Sequence, residues 1–340
     1  MRPESMQPTA SNSPAIDARY LTAAARLSLR GRSLSYPNPN VGVLIVKDGR
    51  VLAQGWTAPG GRPHAEAAAL RVAGENARGA TLYTTLEPCA HVSARGPACS
   101  DLIAEAGVSR VVYAVRDPDP RTDGRGAERL RQAGIEVTAQ ANATAEQSLA
   151  GFLTRRILGR PHVTLKLALS LDGQIALADG SSRWITGDEA RAHVHSRRAL
   201  ADAILVGGAT WRTDRPRLDV RLPNLEDRSP TRVVLTRGAA PEGVEVVSEP
   251  EHIARLAAHW LYIEGGAGAA AAFLRADLVD RLELYSAPIL IGAGRAALGD
   301  LGLHDLAEAH GRWDCVEERP LGKDRFAAYT RERPIGPLST

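Results

Sequence analysis

The chain has 340 residues, 44% hydrophobic and 24% charged, the balance of a soluble globular protein and enough for two domains of roughly 150 residues each. A formal net charge of +3 is too small to argue for a nucleic-acid or membrane surface, though it is compatible with a phosphorylated small-molecule substrate. Cys89, Cys99 and Cys315 are too few and too uneven for a disulfide framework; they fit a reducing, cytoplasmic setting, where clustered cysteines more often bind metal.

Residues 1–14 are polar and proline-rich, without the apolar core of a signal peptide, and read as a flexible tail. Tyr20, Leu21, Ala24 and Leu27 recur at helical spacing and predict a helix over 17–30, with Asp17 as its N-cap. Pro37-Asn38-Pro39-Asn40 cannot continue it. Strands are predicted over 41–46 and 51–56, joined by an Asp48-Gly49 turn, and an alanine-rich helix over 64–73 behind Pro63. A strand over 80–85, a helix over 97–106, a strand over 111–115, a helix over 127–133 and a strand over 135–138 complete an α/β alternation. A helix over 144–158 runs into Gly159-Arg160-Pro161, which sets the expected domains at 15–150 and 160–332.

The second half restarts with a strand over 163–169 and a helix over 188–200. Strands over 203–206, 232–236 and 261–264 follow, then a glycine-rich turn and helix over 265–274, and strands over 281–287, 313–316 and 325–329. It too reads as α/β, without internal repeats. The run 265–274 is the most apolar in the chain and far too short to span a bilayer.

Chemistry concentrates in His64-Ala65-Glu66, Pro88-Cys89 and Cys99. One imidazole and two thiolates supply the three protein ligands of a catalytic zinc site, which leaves the fourth position for a water of lowered pKa. Glu66, two residues from His64 near the start of a helix, is placed to shuttle protons without binding metal. His-x-Glu with Pro-Cys is the signature of the zinc nucleobase deaminases, a textual match to a general pattern with these same roles. Separately, a His-x-Glu is usually surface helix and two cysteines ten apart are usually buried thiols; together and in this order they point to a deaminase. His91 is a rival ligand, or lines the pocket, and Cys315 reads as a core thiol.

Pro37-Asn38-Pro39-Asn40-Val41-Gly42, Pro63-His64-Ala65-Glu66 and Thr85-Leu86-Glu87-Pro88-Cys89-Ala90-His91 resemble the deaminase domain of the RibD family, the bifunctional riboflavin-biosynthesis deaminase/reductases. The resemblance implies a cytidine-deaminase-like fold that hydrolytically removes the 2-amino group of a diaminopyrimidinone ribosylamino 5′-phosphate. It also implies that Asn38 and Asn40 shape the substrate pocket; by themselves they read equally as turn residues. The segment from His91 to Cys99 is one residue longer than is common in that family.

The second half lacks a Gly-x-Gly-x-x-Gly after its first strand, so an ordinary Rossmann fingerprint is absent. It does have Glu264-Gly265-Gly266-Ala267-Gly268-Ala269 between a strand and a helix, where small residues let backbone N–H groups approach a pyrophosphate. Such turns also serve close packing alone. Lys166 to Gly173, Ser182 to Thr186, and Gly208 to Arg221 resemble the RibD reductase domain, which is dihydrofolate-reductase-like and uses NADPH. By position, the resemblance implies NADPH contacts from Ala168, Trp184, Thr210, Asp214, Gly266, Ala267, Gly268, Ala269, Ala270, Ala271 and Ala272. It implies substrate contacts from Ser182, Arg198, Leu218, Arg221 and Glu264, and a homodimer. Arg198 and Arg221 suit a bidentate clamp on a 5′-phosphate, or are solvated charges. Trp184 reads as nicotinamide neighbour or as core. Leu222–Arg232 is shorter than in many members of that family.

Two other functions remain open on the residues. One is a nucleoside or tRNA deaminase with an unrelated appended domain, against which the near-neutral charge argues. The other is a binding module with a structural zinc and a nucleotide sensor, although a structural zinc usually takes four protein ligands.

Overall fold

The computed structural model describes residues 13–92, 96–239, 241–331 and 333. The expected tail therefore lies almost wholly outside the described residues, as does the middle of the long segment between Cys89 and Cys99. The chain divides into two compact units between Leu158 and Gly159.

In the first unit, helix α1 (Pro14–Ser28) starts three residues before the sequence reading placed it. Ser13, not Asp17, is its N-cap and accepts from the Ile16 N–H. Asp17 is instead buried, bonded through both oxygens to Arg110 at 2.8 and 2.9 Å and by the Tyr83 hydroxyl at 2.9 Å. Strands β1 (Gly42–Lys47) and β2 (Arg50–Trp56) form a hairpin whose turn puts Asp48 and Gly49 at φ 51° and 73°, which suits an Asp-Gly pair. Then follow α2 (Ala65–Ala73), β3 (Thr81–Leu86), α3 (Cys99–Glu105), β4 (Arg110–Val115), α4 (Arg125–Gln132), β5 (Glu136–Ala139) and α5 (Ala143–Leu158).

The sheet order is β2-β1-β3-β4-β5, antiparallel through β1 and parallel from β3 to β5. β1, β3 and β4 are buried along nearly their whole length because helices cover both faces, which is why they read as apolar runs rather than alternations. Val43, Ile45, Leu82 and Val111 pack with Ala65 and Ala69 of α2, while Leu21 and Ala24 of α1 cover the other face against Leu44, Tyr83 and Val112.

The second unit is built on an eight-stranded sheet. Its strands are β6 (His162–Ser170), β8 (Ala203–Gly207), β9 (Thr231–Leu235), β10 (Glu245–Val247), β11 (Trp260–Glu264), β12 (Arg281–Ala287), β14 (Asp314–Leu321) and β15 (Asp324–Thr330); β7 (Gln174–Ala176) and β13 (Arg295–Ala296) pair separately. The order β10-β9-β8-β11-β6-β12-β15-β14 is parallel as far as β12 and antiparallel for the last two strands. Helices α6 (Asp188–Arg198), α7 (Gly208–Asp214) and α8 (Ala267–Arg275) complete it. Helix α7, β7, β10 and β13 were not anticipated; all are too short to show a period. Cys315 is exposed on β14, a strand that ends the sheet, and so is not a core thiol. Among the described residues no helix is long and apolar enough to cross a membrane.

Candidate active sites

The first site lies where β3 ends and two helices begin. His64 is the N-cap of α2, Cys99 is the first residue of α3, and Cys89 follows β3 by three residues. His64 Nδ1 is 3.3 Å from Cys99 Sγ and 3.7 Å from Cys89 Sγ. A tetrahedral zinc with bonds of about 2.0 Å to nitrogen and 2.3 Å to sulfur has edges of about 3.5 Å, so the donors fit the ion in kind and in spacing. The His64, Cys89 and Cys99 ligand atoms all lie within 4.8 Å of one another. His91 lines the same cavity but does not join this cluster; its Nδ1 is buried and has no hydrogen-bond partner.

Polarity is set by the helix ends. The Cys99 N–H points at Cys89 Sγ at 3.3 Å, and an N-terminal helix N–H stabilises a thiolate. Hydrogen bonding from Cys99, and then from His64, draws the Cys89 thiol down to about 4 despite its burial, whereas Cys99 beside Cys89 is pushed up. Glu66, 4% exposed in the first turn of α2, is held above the usual carboxylate range by burial, with His64 opposing. A carboxyl kept ready to hold a proton beside a metal is suited to acid–base work.

These groups open into a cavity of about 230 Å³. Asn38 lines it, donating from Nδ2 to the Gly61 carbonyl at 3.1 Å and lying 2.9 Å from His64 Nε2. Gly61 is required there, since a Cβ would meet Asn38 at 2.6 Å. Asn40 is different: it is buried away from the cavity, tied to the Ser28 hydroxyl and the Ser148 carbonyl at 3.3 and 3.0 Å. Sequence reasoning did not assign the cavity's remaining charged lining, namely Arg62, Glu87, Asp117, Asp119, Arg121 and Arg156. Burial, reinforced by Asp119 and Glu87, pushes Asp117 up to about 7. Asp119 is held far below its ordinary value by the hydrogen bond from Arg121, with Arg156 adding to it.

The second site gathers at the carboxyl ends of neighbouring parallel strands, the usual ligand edge of such sheets. Ala168 is near the end of β6, Glu264 ends β11, and Thr210 sits on α7 directly after β8. Gly266 is the N-cap of α8, and a Cβ on it would sit 3.2 Å from Thr210 Oγ1. Gly268 is exposed with open space around it, so the start of α8 is accessible. Ala267 is half-buried. Ala269, Ala270 and Ala271 are buried, and the Ala270 N–H is already bonded to the Gly266 carbonyl at 3.1 Å; Ala272 lies within the helix. Within the expected turn and helix over 265–274, Gly265 and Gly266 form the turn and the helix begins at Ala267.

Arg198 gives Nε and Nη2 to Glu264 at 2.5 and 3.0 Å and Nη1 to the Asp219 carbonyl at 2.8 Å, so in this arrangement all three nitrogens are engaged. Lys166, not singled out before, is 3.9 Å from Glu264. Burial favours the neutral form of Glu264, but Arg198 and Lys166 outweigh it and hold the carboxyl low; burial lowers Lys166. Arg221 is exposed beside Asp219 at 3.5 Å, and its backbone N–H reaches His195 Nδ1 at 3.2 Å. Leu218 is buried at φ 56°. Asp214 and Ser182 are exposed. Trp184 is 65% exposed with the Arg191 guanidinium 4.7 Å from its ring centre, so the reading of it as core is wrong.

A His/Cys/Cys donor cluster beside a buried carboxyl is the arrangement of a zinc-dependent deaminase, and a second unit, with a largely parallel sheet and an open glycine turn, follows it in the chain. Residues 14–115 match the cytidine and deoxycytidylate deaminase zinc-binding region, and residues 161–325 match the RibD C-terminal domain. The riboflavin biosynthesis protein RibD of Escherichia coli is 39% identical, over 91% of this chain and 97% of its own; that of Mycobacterium tuberculosis is 39% identical, over 87% and 92%. Acinetobacter baumannii RibD superposes with a TM-score of 0.85 at 34% identity, covering 94% of this chain and 100% of its own. The deaminase/reductase from Thermotoga maritima gives 0.84 at 31%, covering 94% and 99%.

The chain belongs to the RibD family, and is a bifunctional deaminase and reductase of riboflavin biosynthesis.

Proposed function

We propose that the first unit, which α5 carries past the expected 15–150 to Leu158, converts 2,5-diamino-6-ribosylamino-4(3H)-pyrimidinone 5′-phosphate to its deaminated product. The second, within 160–332, then reduces the ribosyl group to ribityl, giving 5-amino-6-ribitylaminouracil 5′-phosphate. The observation that carries this reading is the donor triad His64, Cys89 and Cys99, of which His64 and Cys89 line one cavity with buried Glu66. When bound, zinc lowers the pKa of a coordinated water toward 7 and so supplies the nucleophile. His64, Cys89 and Cys99 would hold that ion, and Glu66 would carry the protons, taking one as water adds to the pyrimidine carbon and giving one to the departing amine, which would leave as ammonia. Asn38 orients the pyrimidine.

In the second unit NADPH, when bound, supplies hydride to C1′ of the ribosyl group. Gly266, Ala267, Gly268 and Ala269, at the accessible start of α8, are the residues that would approach its pyrophosphate, with Ala168, Trp184, Thr210 and Asp214 around the rest. Ala270, Ala271 and Ala272 support that helix from within. Ser182, Leu218, Arg221, Arg198 and Glu264 would face the substrate. The enzyme would work in the cytoplasm as a homodimer.

The test is incubation of zinc-containing protein with the diaminopyrimidinone substrate, with and without NADPH, followed by mass spectrometry. Replacement of one amino group by oxygen, then gain of two hydrogens only with NADPH, is the expected result. Deamination alone would refute the reductase assignment. No conversion would refute the substrate.

A further inference from the structure

We propose that Arg121 and Arg156, both held on the buried Asp119 carboxylate, form the phosphate-binding end of the deaminase cavity. The proposal rests on the reading that the deaminase substrate carries a 5′-phosphate. Asp119, its side chain 6% exposed, accepts Arg121 Nε at 2.9 Å and Nη2 at 2.6 Å, and Arg156 Nη2 at 3.0 Å. It also accepts the Arg121 backbone N–H at 3.0 Å. Two guanidinium groups thus share one carboxylate, which leaves one positive charge uncompensated within the cluster.

Both arginines line the cavity that holds His64, Glu66 and Cys89, and Arg62 lines it with them. Their side chains keep 60% and 42% of their surface exposed, so a ligand can reach them. A carboxylate that already fixes a guanidinium presents its remaining N–H groups without a further loss of side-chain freedom, and planar N–H pairs match phosphate oxygens.

The supports are firm. Arg156 comes from α5 and stacks on Phe152, its guanidinium carbon 5.5 Å from the ring centre. Arg121 sits on the loop between β4 and α4, which Glu87 ties to the Cys89 turn by accepting the Asp117, Gly124 and Ala127 N–H groups at 3.4, 3.0 and 3.0 Å. Glu87 is turned onto those backbone groups rather than onto either arginine. A pyrimidine seated over the zinc ligands would then trail its phosphorylated ribose toward the Asp119 loop.

The experiment compares kcat/KM for deamination by the full-length zinc-loaded protein on the ribosylamino 5′-phosphate and on its dephosphorylated form. Wild type should prefer the phosphorylated substrate. Arg121→Ala and Arg156→Ala should each lower kcat/KM for it by about tenfold to a hundredfold, mainly through KM, and leave the dephosphorylated substrate unaffected. Arg121→Lys should recover part of the loss. Zinc content and reductase turnover serve as controls of folding. Equal rates on the two substrates in wild type would overturn the phosphorylated-substrate reading itself. Preference in wild type that persists in both alanine variants would overturn this subsite, and so would equal losses on the two substrates.

Discussion

Glu87→Gln tests whether the metal turn and the loop facing it are one mechanical unit. The Glu87 carboxylate is 2% exposed, and its three acceptor contacts are all backbone N–H groups of the segment 117–127. Its own N–H is bonded to the Val115 carbonyl at 2.8 Å. An amide keeps one acceptor oxygen and puts an NH₂ against groups that can only donate. At least one buried N–H then loses its partner, at about 1–3 kcal/mol each. About 2 kcal/mol of local opening corresponds to about thirtyfold faster exchange of the affected amides. Hydrogen exchange followed by mass spectrometry on peptides covering 116–128 should show that acceleration, with the zinc retained and the deamination KM raised. Exchange within threefold of wild type over those peptides would refute the assignment of Glu87 as the anchor.

On the proposal that Glu66 serves protons rather than metal, Glu66→Gln should cut ammonia release by about 10²–10⁴-fold while zinc content measured by atomic absorption stays at one per chain. Asp17→Ala strands the buried Arg110 guanidinium and should cost about 3–5 kcal/mol in urea unfolding; a loss under about 1 kcal/mol would show that Glu136 and Thr138 suffice to hold it. Asp117 gains its proton affinity on folding, rising from 3.8 to about 7. Its stabilisation is therefore complete below about pH 4 and lost as pH climbs through about 7. At 1.36 kcal/mol per pH unit that amounts to at most about 4 kcal/mol, and Asp117→Asn should flatten the stability profile between those limits as measured by thermal unfolding.

The metal chemistry was legible in the sequence because zinc donors sit at element junctions that write short motifs. His64 and Glu66 open one helix, Cys99 opens another, and Cys89 closes the turn after a buried strand. The strands were legible for a related reason: those covered on both faces become continuous apolar runs bounded by turn residues. Asp17 shows where such reading fails. Just ahead of an amphipathic run it looks like a cap, yet its partner is Arg110, 93 residues away, and no local pattern separates a capping aspartate from one buried in a distant ion pair. The same limit hid Asp119, Arg121 and Arg156, which are ordinary surface residue types until the fold carries α5 back across the loop after β4. In the second unit the open turn at Gly265 and Gly266 and the candidate Arg198 were visible, but Lys166 acquires meaning only because parallel pairing sets it beside Glu264 at the ends of β6 and β11. A reaction centre that needs a few fixed donor atoms can be encoded in contiguous sequence. The surfaces that choose its substrate are assembled from common charged residues far apart in the chain, so selectivity in this enzyme must be sought in its ion pairs rather than in its motifs.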